Sequence, residues 1–300
     1  MYPFNFSSGT RASGSVFSAF NEPDFDVRDA QIIVGFETST QVPSGEGQGR
    51  YQISNAEFRI AVTSSSTFTY DESLDPWQTT LDPADPDYIA DTDPGHPLEL
   101  YGTGFRGAWS LATFLETSPF RDVGGSSYRD VRNAFATDYN ARIPRDISNH
   151  TDDREEVYPF AIGQAAITPG TPVPANTEFV FTFDLANPDV VEYLRQALDA
   201  GSLRLTISSM MPAVFDGGSG GSGQVASFYM REDFFALGLT GRLTLDVFVG
   251  SYADLNMDGI VDGSDLGLLL GNWGNPGNSD LNSDGDTNGA DLGLLLSEWG

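Results

Sequence analysis

Apolar and polar residues alternate over many short stretches of the first 250 residues. Ile32, Val34 and Phe36 alternate with their neighbours, and Ala56, Phe58, Ile60 and Val62 do so around Glu57 and Arg59. Phe179, Phe181 and Phe183 repeat the pattern, as do Leu203, Leu205 and Ile207, then Leu243, Leu245, Val247 and Val249. A period of two marks strands that bury one face. Many such strands, separated by Gly, Pro and Asp turns, predict a mainly β domain over residues 1–250, a jelly-roll-like β-sandwich. One segment changes period. Asn187 is placed to cap a helix, Pro188 suits its first turn, and Gly201 suits its end. Val190, Leu194, Ala197 and Leu198 then share a face, as in a helix packed on a core.

Two stretches carry neither period. Residues 71–98 are rich in Asp and Pro, and residues 121–157 mix Arg, Asp, Gly and Asn. Loops of that length in compact domains are commonly functional or ordered by metal. Asp82, Asp85, Asp87, Asp91 and Asp93 are candidates for a further calcium ion, weighed against a solvated Asp-Pro turn region. The run at residues 217–223 (GGSGGSG) reads as a flexible surface loop.

The end of the chain holds a plain internal repeat. Residues 254–274 (DLNMDGIVDGSDLGLLLGNWG) and 280–300 (DLNSDGDTNGADLGLLLSEWG) align without gaps at an offset of 26 and match at 14 of 21 positions. In the first copy Asp254, Asn256 and Asp258 fall at loop positions one, three and five. Gly259 at position six permits a sharp turn, and Ile260 at position seven offers its carbonyl. Asp262 stands at position nine and Asp265 at position twelve. The second copy supplies Asp280, Asn282, Asp284, Gly285, Asp286 (through its carbonyl), Asn288 and Asp291. Alternating oxygen donors of this kind suit a hard cation with about 6–8 ligands, and calcium better than the smaller, strictly octahedral magnesium. At least two calcium ions are therefore expected, in a small α-helical domain at 251–300 with two EF-hand-type loops.

The doubled D-x-N-x-D-G-x-x-[DN]-x-x-D-L pattern, with one helix after each loop and Asp at position twelve, resembles the dockerin family of secreted bacterial proteins. The resemblance covers residues 251–300. It implies calcium binding and a protein partner, and an extracellular or cell-surface setting. Dockerins meet cohesin modules through residues around positions ten and eleven. Those are the small Gly263–Ser264 and Gly289–Ala290 here, so calcium binding is the more direct implication. In the helices, Leu266, Leu269, Leu270 and Trp273, with Leu292, Leu295, Leu296 and Trp299, are spaced to share faces and form a small core. Leu268 and Leu294 fall on the far side, as a docking face or as packing against the β-domain.

Charge sharpens this picture. The net charge of −28 comes from 43 acidic residues against 15 arginines, with no lysine. It excludes binding to a nucleic-acid backbone, which rests on Lys and Arg contacts. It also opposes compaction unless cations offset it. With no cysteine there is no disulfide framework, so a secreted chain of this kind is held by its core or by metal. No run of about 18 apolar residues suggests a membrane span. Residues 1–15 lack the basic and apolar regions of a signal peptide, which fits a cytosolic protein or a mature secreted one.

Catalytic motifs are missing. His96 and His150 read as surface or loop histidines, and no nucleophile elbow, P-loop or zinc-protease helix occurs. A non-enzymatic reading follows. Asn5 and Asn149 lie in N-x-[ST] sequons, a weak signal in a bacterial secreted protein. The functional expectation is an extracellular calcium-binding structural or assembly protein, a subunit of a calcium-dependent homopolymer or filament. The alternative is a carbohydrate-binding or polysaccharide-associated protein docking through its tail, for which Trp77 and Trp109 are the only tryptophans outside that tail.

Overall fold

The computed structural model describes residues 12–20, 26–63, 68–119, 132–215, 221–233, 235–236, 238–282 and 284–300. The sequon at Asn5, the part of the 121–157 stretch before residue 132, and most of the Gly/Ser run lie outside them. The strands are β1 (Ser13–Val16), β2 (Ile32–Glu37), β3 (Tyr51–Ala61), β4 (Glu99–Phe105), β5 (Ala134–Asn140), β6 (Ile143–Asp146), β7 (Ala161–Ile162) and β8 (Glu178–Thr182). Helix α1 (Pro188–Asp199) precedes β9 (Ser202–Ser208), β10 (Ala213–Phe215), β11 (Gly221–Gly223), β12 (Ala226–Tyr229) and β13 (Arg242–Val249). Helices α2 (Gly263–Gly271) and α3 (Gly289–Ser297) close the chain.

The protein is thus mainly β. The largest sheet runs β2-β9-β4-β5-β6 with β7 also on β4, a second runs β13-β3-β8, and β1-β12 and β10-β11 form two-stranded sheets. β4 pairs antiparallel with β5, β7 and β9, and β3 pairs antiparallel with β8. By contact the chain gathers into two compact units. One comprises Met1–Phe36, Glu57–Phe183 and Arg204–Leu243; the other comprises Glu37–Ala56, Asp184–Leu203 and Thr244–Gly300. The loop–helix tail thus shares a unit with α1 and with 37–56. Among the described residues, no helix is long and apolar enough to cross a membrane.

The expected alternation holds where a strand has one dry face. Ala56, Phe58 and Ile60 are buried while Glu57 and Arg59 are partly exposed. In the first unit Phe58 packs on Phe181 at 5.7 Å between ring centroids, and Phe179 lies between Phe68 and Tyr70. β9 departs from the pattern. Every residue in it is buried, including Arg204 and Thr206, because it lies between β2 and β4 with both faces covered. Polar alternation in the sequence therefore did not mean a wet face there. In the second unit α1 begins as expected, with the Asn187 side chain accepting from the Asp189 amide at 3.0 Å. It buries Val190, Tyr193, Leu194, Ala197 and Leu198. Gly201 follows at φ 74°, where a Cβ would lie 3.0 Å from that of Ser39. Glycine meets both demands there.

The first unit also buries a set of charges. Arg28, fully buried, pairs with Glu99 and donates to Ser208 Oγ at 3.1 Å and to His150 Nδ1 at 3.3 Å. The Tyr101 hydroxyl donates to the same carboxylate at 3.0 Å. The β4–β9 register places Glu99 opposite Ser208, so the sheet itself assembles these acceptors. His150 is buried, and desolvation followed by the Arg28 charge hold its pKa well below the ordinary value. It is a neutral acceptor in a turn, so of the surface or loop placement expected the loop holds and the surface does not. Asn149 is buried too, its amide donating to Asp26 and accepting from the Val27 amide, which leaves that sequon no room for a glycan in the folded chain. Arg132 pairs with buried Asp26, and its Nη2 lies 3.7 Å from Asp29 Oδ1.

Asp29 gives this network a pH dependence. Burial, with Asp26 adding to it against Arg132, raises its pKa from the ordinary 3.8 to about 6. The fold therefore favours the protonated acid. Its contribution is intact below the unfolded pKa of about 4 and is lost as pH rises through about 6. Asp29→Asn should raise stability at pH 7 by about 1–2 kcal/mol. It should also reduce the fall in melting temperature between pH 4.5 and 7, measured by calorimetry on both proteins. An unchanged pH profile would contradict this account.

Candidate functional site

The sequence repeat is also a repeat of geometry. Each helix starts at loop position ten with a capping box. The Asp262 side chain accepts from the Ser264 amide at 2.7 Å, and Asn288 accepts from the Ala290 amide at 2.8 Å. Asp at position twelve is the third helical residue, and its carboxylate turns back into the loop. Asp265 Oδ1 accepts the amides of Leu255 at 2.8 Å and Asn256 at 3.0 Å, and Oδ2 accepts that of Asp262 at 2.9 Å. Asp291 does the same with Leu281, Asn282 and Asn288 at 2.7, 3.1 and 2.7 Å. Both carboxylates are fully buried. They satisfy amides that no helix or strand ladder reaches, which is what permits their burial.

Position one holds the other end of each loop. Asp254 accepts the Asp258 amide on Oδ1 and the Gly259 amide on Oδ2, and Asp280 accepts those of Asp284 and Gly285. Gly259 at φ 91° and Gly285 at φ 104° turn the chain there, a conformation costly for any side chain. Asn256 Nδ2 donates to Asp258 Oδ2 at 2.8 Å, and Asn282 Nδ2 to Asp284 Oδ2 at 2.9 Å. The Asp286 carbonyl accepts from Asn288 Nδ2 at 3.1 Å, while Ile260 and the Asp286 side chain are exposed. The loops are cross-tied. Gly274 donates to the position-eight carbonyl of Thr287 at 2.8 Å, and Gly300, at the same place in the second copy, to that of Val261 at 3.1 Å. Gln52 Nε2 donates to the carbonyls of Ser251 and Asp254, fastening the first loop to the 37–56 segment of its own unit.

The donor set is oxygen alone, and each position-one oxygen accepts one amide, leaving a lone pair. In kind and order these residues fit a calcium ion. The carboxylates, however, are satisfied by amides rather than gathered together. Among the described residues, acidic and histidine ligand atoms come within 4.8 Å of one another in threes at Asp71, Asp75 and Asp93 and at Asp75, Asp91 and His96, not in the loops.

The helix faces differ from the expected core. Leu269 and Leu295 are buried with Ala253 and Val261, and Leu266 and Leu292 pack partly against them. Leu270 and Leu296 are each 51% exposed, and Trp273 and Trp299 each 46%. Helices of nine residues with small cores cover one stripe only. Leu268 is exposed and Leu294 half-buried, so the expected symmetric docking pair is not the symmetric exposed pair.

The Asp-rich stretch divides. Asp85 and Asp87 carry Arg154, and Asp82 Oδ1 accepts the Ala84 amide at 2.8 Å. Of the five candidates Asp91 joins one trio and Asp93 the other, and the trios' remaining members, Asp71, Asp75 and His96, lay outside the expected set. The spacing Asp71-x-Ser73-x-Asp75 was the available signal, alternating oxygens as the loops do. His96 Nδ1 lies 2.8 Å from Asp75 Oδ2. Burial lowers the affinity of the imidazole for a proton, but the hydrogen bond and charge of Asp75, then Asp91 and Glu99, outweigh it and raise its pKa. Burial, with the like charges of Asp75 and Asp93, raises that of Asp71 against hydrogen bonds from Ser73. No protein-family model and no curated protein matches the chain.

The loop geometry separates position twelve from position seven. Asp265→Ala or Asp291→Ala removes the acceptor of three amides and should cost about 3 kcal/mol or more, melting residues 251–300 even without calcium. Asp286→Ala, at an exposed side chain, should stay within about 0.5 kcal/mol. Circular dichroism and limited proteolysis of the three variants measure this. Equal losses at Asp286 and Asp291 would contradict the loop register.

Proposed function

We propose that this chain is an extracellular calcium-binding assembly protein whose dockerin-like tail docks on a second copy of the chain. The observation that carries the reading is the doubled loop. Two oxygen-only donor sets stand in register, each closed by a buried Asp at position twelve and each leading into the same apolar helix. Asp254, Asn256, Asp258, Asp262 and Asp265 with the Ile260 carbonyl would hold one ion. Asp280, Asn282, Asp284, Asn288 and Asp291 with the Asp286 carbonyl would hold the other. Calcium would supply neutralisation, drawing together carboxylates that otherwise repel.

Exposed Leu270, Trp273, Leu296 and Trp299 support docking, since paired apolar side chains left in water are candidates for a contact. Copies at −28 repel one another, so association needs cations to screen or bridge them. A tail meeting a different surface of the next copy makes a heterologous contact, which propagates into rings or filaments. A jelly-roll arrangement of the strands belongs to the same proposal. No observation favours the polysaccharide alternative. Arg154 sits 5.7 Å from the Trp77 ring centroid, and Trp109 packs perpendicular to Phe114, so each ring already has a partner within its own unit.

Light scattering and negative-stain imaging at millimolar calcium should show polymers that dissociate on chelation, while much of the β structure survives. A protein that is monomeric under both conditions would overturn self-assembly and leave a different protein as the tail's partner.

A further inference from the structure

The 71–96 segment of the first unit presents a second kind of acidic site, separate from the loops. One ligand oxygen from each of Asp71, Asp75 and Asp93 lies within 4.8 Å of the others. The Asp71 side chain is buried, 4% exposed, and its Oδ2 has no hydrogen-bond partner. Its Oδ1 accepts from the Ser73 amide and hydroxyl, both at 2.9 Å. A buried carboxylate oxygen without a donor costs free energy that an arginine or a metal normally offsets. Elsewhere in this unit arginines do so: Arg28 for Glu99, Arg132 for Asp26, Arg145 for Asp138. Among the described residues no arginine pairs with Asp71, Asp75 or Asp93; the basic side chain beside them is His96, on Asp75.

The backbone is built to bring these groups together. Residues 68–71 are pinned to 170–173 by hydrogen bonds of Tyr70 with Thr171 and Gly170 and of Val173 with Phe68. Gly95, at φ 117°, lets the 91–96 turn close on them. A Cβ there would sit 3.0 Å from the Thr69 carbonyl oxygen and 3.1 Å from the Asp71 Cβ. Of the proposed ligands, Asp93 also lines a cleft of about 450 Å³, together with Asp91 and His96.

We propose that Asp71, Asp75 and Asp93 hold a calcium ion at a third site, independent of the loop–helix pair. Three carboxylates with a serine hydroxyl beside them form an oxygen set suited to a hard cation of flexible coordination. The ion supplies Asp71 Oδ2 with its missing partner and neutralises three crowded charges. His96 holds Asp75 from behind, as an outer partner that orients a ligand. Zinc or manganese would instead draw on the adjoining Asp75, Asp91 and His96 trio.

The test is equilibrium dialysis of the full chain at about 1 mM free calcium, with bound metal counted by atomic absorption. Wild type should bind three equivalents. Asp258→Ala with Asp284→Ala, exposed position-five changes that disable both loops, should retain one equivalent. Adding Asp71→Asn should remove it, and so should Asp93→Asn at an exposed side chain whose loss leaves no buried group unpaired. Retention of none by the loop-disabled protein would overturn the site. So would an equivalent that survives both Asp71→Asn and Asp93→Asn. One equivalent in both wild type and the loop-disabled protein would sink the loop reading while upholding this one. Zinc bound in place of calcium and lost on His96→Gln would overturn the calcium assignment.

Discussion

A carboxylate taken out of water must be given a partner, and this chain must do so repeatedly, with 43 acidic residues and neither lysine nor cysteine to help. Three solutions appear. In the first unit the partner is arginine: Arg28 for Glu99, Arg132 for Asp26, Arg145 for Asp138. In the tail it is the backbone, with three amides on each of Asp265 and Asp291. At Asp71 one oxygen has none, and a cation is the partner we propose.

These solutions have different consequences. Planar guanidinium groups bound to buried carboxylates fix register, because only one pairing of β4 with β9 sets both Glu99 and Ser208 against Arg28. Breaking such a pair would strand a charge, so the network is stiff and intolerant of change. Amide-bound carboxylates are local. They turn twelve residues into a closed loop and start a helix, and they work twice over with distances that agree to about 0.2 Å. The loop fold is therefore built around the carboxylates that a calcium ion would use, so ion binding and loop structure share the same atoms.

Net charge joins the two levels. A protein at −28 resists both its own compaction and the approach of another copy. Calcium taken up by loops and cluster would lessen both penalties. The symmetric exposure of Leu270 with Leu296 and Trp273 with Trp299 places apolar surface on the helices that follow the two loops.

Much was legible in the sequence because it depends on local order. Period-two runs located β3, β8, β9 and β13, and Asn187, Pro188 and Gly201 bounded α1, since strand pleat, caps and glycine turns are set by neighbours along the chain. The loop residues, from Asp254 to Asp265 and from Asp280 to Asp291, could be named for the same reason. What only the tertiary structure decided is which atoms meet across distance. Sequence spacing put Leu270 and Trp273 in a core that two short helices are too small to provide. It read His150 as a surface or loop histidine, and although a turn does hold it, folding buries it beside Arg28 and Arg145; it also grouped Asp82 to Asp93 by proximity alone. Folding sent Asp85 and Asp87 to Arg154 and brought Asp91 and Asp93 to Asp71 and Asp75 instead. Burial and charge pairing depend on every segment that comes near a residue, and a single stretch of sequence carries only its own.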